Sequence, residues 1–175
     1  MAKELLLVDV GGVLVPALVD GRPTGRLPLN EYVRIDPIPG ALEGIKRLRQ
    51  ERFGPRGVIF FTNCPKTNRM KSRLWLKYHN FTSEQGIPDE FAGVEFCDDW
   101  EGKRKIGKKR QATHVVDNHL SVLRQMYEVP HRYILNLSER ELENPFYGEL
   151  ILNDLVYRAE SWPDLTEAIL KSERS

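Results

Sequence analysis

Three short apolar runs in this chain each end in polar residues suited to one task. Leu5–Val8 runs into Asp9-Val10-Gly11-Gly12, residues 58–61 into Thr62-Asn63, and Val115-Val116 into Asp117-Asn118. Each run is too short for a buried helix and reads as a strand buried on both faces, the kind found in parallel sheets. In such sheets chemistry collects beyond the carboxyl ends of the strands. Strand ends lying side by side bring Asp9, Thr62 and Asp117 towards one point. Two carboxylates meeting there repel each other, and a divalent cation is the usual remedy. An oxygen-only site with few carboxylates favours Mg²⁺. The basic segment 103–110 offers a lysine to hold the carboxylates and an anionic substrate together.

The elements that must position these residues are legible in the spacing. Tyr133-Ile134-Leu135 is a fourth candidate strand. Ala41, Ile45 and Leu48 share one face of a helix starting near Pro39. Met70, Leu74 and Tyr78 do the same in a second helix, with Tyr78 read as core, and Leu120, Leu123 and Tyr127 in a third. Ser161 is placed as an N-cap, with Pro163 in the first turn and Leu165 and Ile169 on the buried face of a further helix. Strands alternating with helices predict an α/β fold, a three-layer sandwich around a central, mostly parallel sheet. Two stretches interrupt the alternation. Residues 15–36, with Asp20-Gly21 and Pro16, Pro23 and Pro28, read as a hairpin or flap after the first strand. Residues 80–102 read as irregular, with a short strand at Val94–Phe96. Neither is large enough to be a domain, so residues 1–175 are expected to form one.

Leu-Leu-Leu-Val-Asp-Val-Gly-Gly-Val-Leu (5–14), Ile-Phe-Phe-Thr-Asn (59–63), a lysine-rich helix start and His-Val-Val-Asp-Asn (114–118) resemble, in order, the four motifs of the haloacid dehalogenase (HAD) superfamily. The resemblance covers essentially the whole chain. It implies a Rossmann-like fold and a Mg²⁺-dependent phosphohydrolase in which Asp9 attacks phosphorus to form an aspartyl-phosphate. Thr62 would hydrogen-bond the phosphoryl oxygens. Asn63 and Gly12 would help bind the substrate. Lys103 is the choice for the motif-three lysine, with Lys105 and Lys108 as alternatives there and as substrate-binding groups. Mg²⁺ would be held by Asp9, Asp117 and the main-chain carbonyl of Gly11.

The chain departs from the family's pattern in three respects. The residue two after the nucleophile, in the family's phosphatases an aspartate that protonates the leaving group, is Gly11 here. General acid help is worth typically ~10²–10⁴-fold, so turnover of poor leaving groups should be weak. His119 and Asp20 are candidate substitutes for the acid. Asn118 stands where many members have a second carboxylate; it is alternatively a cap for the following helix. The flap is also too small to be a cap domain. An open site suits a large substrate, a neighbouring subunit acting as lid, or a protein that binds a phosphorylated ligand without turnover.

Composition sets the outer bounds. The 175 residues are 41% hydrophobic with a formal net charge of +1, which suits a folded domain. Residues 64–116 hold eleven basic and seven acidic side chains, and residues 117–175 six and eleven. The basic middle, with Lys66, Arg69, Lys71, Arg73 and Lys77 near a strand end, tilts the expected substrate towards a nucleotide or nucleic-acid phosphate end. Two cysteines, Cys64 and Cys97, exclude a disulfide framework and a four-cysteine zinc site. No apolar run approaches the ~20 residues of a membrane span, and a cytoplasmic protein is expected.

Overall fold

Six parallel strands form the centre of the protein in the computed structural model, which describes residues 4–82, 93–144, 149–150, 153 and 155–173. In chain order they are β1 (Leu6–Asp9), β4 (Val58–Asn63), β5 (Val94–Cys97), β6 (His114–Asp117), β7 (His131–Leu135) and β8 (Tyr157–Ala159). They lie in the order β5-β4-β1-β6-β7-β8, and every pairing is parallel. The chain builds outward from β1 to one side through β4 and β5, then returns to build the other side. That reversal makes the carboxyl ends of β1 and β6 a topological switch point.

The apolar runs are continuous because both sheet faces are covered. Leu6, Val8, Phe60 and Val116 face one layer, built from α2 (Ala41–Leu48), α3 (Lys66–Tyr78) and α7 (Trp162–Lys171). Leu7, Ile59, Phe61 and Val115 face the other, built from α4 (Trp100–Arg110) and α5 (Leu120–Gln125). This is the expected three-layer α/β sandwich. Helix α2 packs tightly on α7: a Cβ on Gly44 would lie 2.7 Å from Thr166 Oγ1 and 2.8 Å from Trp162 Cε3. Ser161 caps α7 through the Asp164 amide, with Pro163 in its first turn.

Residues 15–36 form the expected small insertion. Leu18–Val19 (β2) and Arg22–Pro23 (β3) pair antiparallel around Asp20-Gly21, whose φ angles of 49° and 71° suit the two-residue turn that matches strand twist. A 3₁₀ turn at Thr24–Arg26 and the single-turn α1 (Leu29–Tyr32) follow. Side chains of α3 then fasten the insertion by its carbonyls. Lys71 Nζ donates to Leu27 O at 2.8 Å, Trp75 Nε1 to Ile35 O at 2.8 Å, and His79 Nε2 lies 3.0 Å from Val33 O.

Three expectations from spacing need correction. Met70, Leu74 and Tyr78 share a face of α3, but that face is exposed; the buried one carries Ser72, Trp75 and Leu76. In α5, Leu120 and Leu123 are buried while Tyr127, beyond the helix end, is exposed. Asn118 does not cap α5, whose N-cap position is His119. The strand expected at Val94–Phe96 is present as β5, whereas residues 83–92 of that irregular stretch lie outside the described residues. Among the described residues, no helix is long and apolar enough to cross a membrane.

Candidate active site

Strand register brings the two carboxylates together. Val8 pairs with Val116, so the next residues, Asp9 and Asp117, end adjacent strands side by side. Both are odd-numbered in the alternation that sends Leu7 and Val115 towards α4, and α4 supplies the cation. This helix crosses from β5 back to β6, is capped by Asp99 through the Gly102 amide, and presents Lys103 one turn in. Lys103 Nζ lies 2.9 Å from Asp9 Oδ1 and 2.7 Å from Asp117 Oδ2. The side chains of all three are at most 6% exposed. The ammonium also sits 4.8 Å from the centre of the Phe61 ring.

Charge in this cluster does not balance locally, because one ammonium faces two carboxylates. Burial pushes the Asp9 carboxyl up, Lys103 pulls it down and the neighbouring Asp117 carboxylate pushes it up, which together leave it at about 6. Burial alone would loosen the Lys103 proton, but the charges of Asp9 and Asp117 and their hydrogen bonds hold it more firmly than usual. Asp117 is further fixed by the His119 amide, which donates to Oδ1 at 3.0 Å.

The loop after β1 is held from several sides. Gly12 takes a φ of 78°, and a Cβ there would fall 2.4 Å from Asn118 Nδ2. Only glycine fits that backbone and that contact. Asn136 Nδ2 donates to Gly12 O at 2.8 Å, and Trp162 Nε1 to Val13 O at 2.8 Å. Gly11, in contrast, is exposed, with nothing within 4 Å of where its Cβ would stand.

Of the residues singled out from sequence, Asp9, Lys103 and Asp117 meet directly. Thr62 is buried one position beyond Phe61, the register partner of Asp9, and Asn63 is exposed at the strand end. Between the alternatives for a lysine touching both carboxylates, the geometry selects Lys103. Lys105 is exposed on α4, and Lys108 lies 3.7 Å from Glu128, towards the opposite end of the helix. Arg104 and Arg110 of the same basic run pair with Glu128 and Glu95. In α3, Arg69 pairs with Asp98 and Lys71 fastens the insertion. The basic segment therefore does not gather round the carboxylates.

Sequence reasoning missed Asn136 and Glu141. Asn136 directly follows a strand run, the same signal that marked Asp9 and Asp117. Glu141 carries no such signal: it reaches back 21 residues, where Oε1 accepts from the Leu120 amide at 3.0 Å and Oε2 lies 3.6 Å from His119 Nδ1.

The donor set fits Mg²⁺. Among the described residues no group of three or more His, Cys, Asp or Glu side chains converges on a metal position. Mg²⁺ is held by one or two carboxylates with water and phosphate oxygens completing its shell, so Asp9 and Asp117 are enough in number and kind. Two carboxylates share a single ammonium there, and such a cation would offset the remaining negative charge.

Compared by sequence, the chain matches no protein-family model and no curated protein.

Proposed function

We propose that this protein is a HAD-like, Mg²⁺-dependent phosphohydrolase that acts through an aspartyl-phosphate on Asp9 and is suited to good leaving groups. The observation that carries this reading is the buried Asp9–Lys103–Asp117 cluster at the switch point of the sheet. Two buried carboxylates share one ammonium there, beside an exposed glycine.

In this reading a carboxylate oxygen of Asp9 attacks phosphorus, and the bond from phosphorus to the leaving oxygen breaks with its electron pair. Lys103 keeps Asp9 oriented and offsets charge on the phosphoryl group; Thr62 and Asn63, with Gly12, would bind its oxygens. Asp9, Asp117 and the Gly11 carbonyl would hold Mg²⁺, which when bound supplies positive charge to the phosphoryl oxygens. Gly11 offers no proton, so the leaving oxygen departs as an anion or takes its proton from water. Water then attacks phosphorus, returning the Asp9 carboxylate and inorganic phosphate.

The substrate is a phosphomonoester. A nucleotide or nucleic-acid end, expected from the basic run, loses support because Arg104, Lys108 and Arg110 are engaged by Glu128 and Glu95. A second reading, binding of a phosphorylated ligand without turnover, is favoured by the empty acid position at Gly11. A cytoplasmic setting accords with two free cysteines, one buried and one half-buried.

The test is Mg²⁺-dependent hydrolysis of 4-nitrophenyl phosphate by the wild type and Asp9→Asn. Turnover that vanishes in the variant supports the phosphohydrolase. Equal background in both proteins leaves the binding reading.

A further inference from the structure

Trp100 is the one exposed tryptophan of three. Trp75 and Trp162 are buried, with their indole nitrogens donating to Ile35 O and Val13 O. Trp100 keeps 43% of its surface in water although it opens α4 one turn before the buried Lys103. Across from it stands His119, two residues past Asp117, with a side chain 46% exposed. The two rings lie 6.1 Å apart, centre to centre, inclined by 31°. Glu141 lies 3.6 Å from His119 Nδ1 while it accepts from the Leu120 amide. Trp100 at the start of α4 and His119 just after the end of β6 thus put the ring pair at the end of the sheet where the carboxylate cluster lies.

A second observation concerns the leaving group. With nothing at Gly11 to donate a proton, the barrier depends on how stable the departing oxyanion is. A phenol ionises near ~10, an alkyl alcohol near the ~16 of water. An aryl leaving group therefore needs least from the missing acid, and it is also the group that a pair of aromatic rings would hold. Resting on the phosphohydrolase reading, we propose that Trp100 and His119 form a stacking subsite for the leaving group, and that the substrate is an aryl phosphomonoester.

Phenyl phosphate has both the ring and the good leaving group, acetyl phosphate only the leaving group, and methyl phosphate neither. In Trp100→Ala the ratio of kcat/KM for phenyl phosphate to that for acetyl phosphate should fall about tenfold, with recovery in Trp100→Phe. A fall shared equally by both substrates, or none, overturns the subsite. A binding measurement keeps this separate from turnover. In Asp9→Asn, phenyl phosphate should perturb Trp100 fluorescence and bind more tightly than methyl phosphate. Equal binding overturns the subsite even if the enzyme is active. Tighter binding supports it even if hydrolysis is absent, in which case only the phosphohydrolase reading falls.

Discussion

Lys103 and Arg52 are both buried cations at opposite ends of the sheet, and their surroundings answer them to different degrees. Arg52 lies in the π-helical turn Arg49–Phe53 ahead of β4, at the end where the strands begin. Its Nε and Nη2 take both oxygens of Glu4 at 3.0 and 2.7 Å, and its remaining donors reach the carbonyls of Ile169, Ser172 and Glu173 and the Ser172 hydroxyl. One cation meets one carboxylate, and every guanidinium nitrogen is engaged. Residues distant in sequence are tied together, and little is left to bind anything else. Lys103 instead meets two carboxylates, one of them raised to about 6, beside a glycine that leaves open space. A saturated centre reads as a clamp and an unsaturated one as a site.

The sharpest way to break the comparison is Arg52→Met. It removes the bidentate partner of Glu4 and the donor to several carbonyls, and should cost about 3–5 kcal/mol in urea unfolding, while turnover per folded molecule is kept. A loss of turnover larger than the loss of folded protein would tie the clamp to the site.

Gly11→Asp probes the opposite end. Space and an ordinary backbone are available there, so hydrolysis of alkyl phosphates should rise by about 10²-fold, and that of aryl phosphates by much less. A parallel rise on both, or none, would remove Gly11 from the account of leaving-group choice.

The clamp should also register pH. His114 is buried beside it, with Nε2 3.1 Å from Ser172 Oγ, and its ring stacks on His131 at 4.5 Å. Burial first, then the charges of Arg52 and His131, lower its pKa to about 3, with Glu4 opposing. The folded state therefore refuses a proton that the unfolded chain accepts below about 6.5. Stability is fully present above that pH and is lost as pH falls towards 3, at ~1.4 kcal/mol per unit. Unfolding of His114→Gln, compared with wild type at pH 7 and 5, should show a shallower slope.

The smallest effect expected is a gain. Asp9→Asn removes a surplus buried charge, and should raise stability at pH 7 by about 1 kcal/mol even as it ends turnover. Thermal unfolding that shows a loss of several degrees would place Asp9 with the clamp rather than with the site.

Much of this arrangement was legible in order along the chain. Short apolar runs, each ending in Asp or Thr, marked β1, β4 and β6 and the side chains beyond them, because strand burial and strand-end polarity are local patterns. Asp20-Gly21 marked a turn because its backbone requirement is local too. Spacing was less informative where one helix carries two plausible stripes. On α3, Met70, Leu74 and Tyr78 repeat as regularly as a core face, yet Ser72, Trp75 and Leu76 are the ones inside. Which stripe turns inward depends on what the opposite surface offers, here Ile35 O for the Trp75 indole and a ring stacked on it from Phe81.

The sequence by itself determined the layers, the strand ends and the two carboxylates that meet, since apolar patterning and residue type are properties of short segments. Tertiary structure alone decided the rest. It chose Lys103 over Lys105 and Lys108, because only one face of α4 points at β1 and β6. It turned most of the basic run to acidic partners, joined Arg52 to Glu4 across 48 residues, and set Trp100 against His119. Those are contacts between elements, fixed by how helices dock on the sheet, and no local pattern encodes the docking.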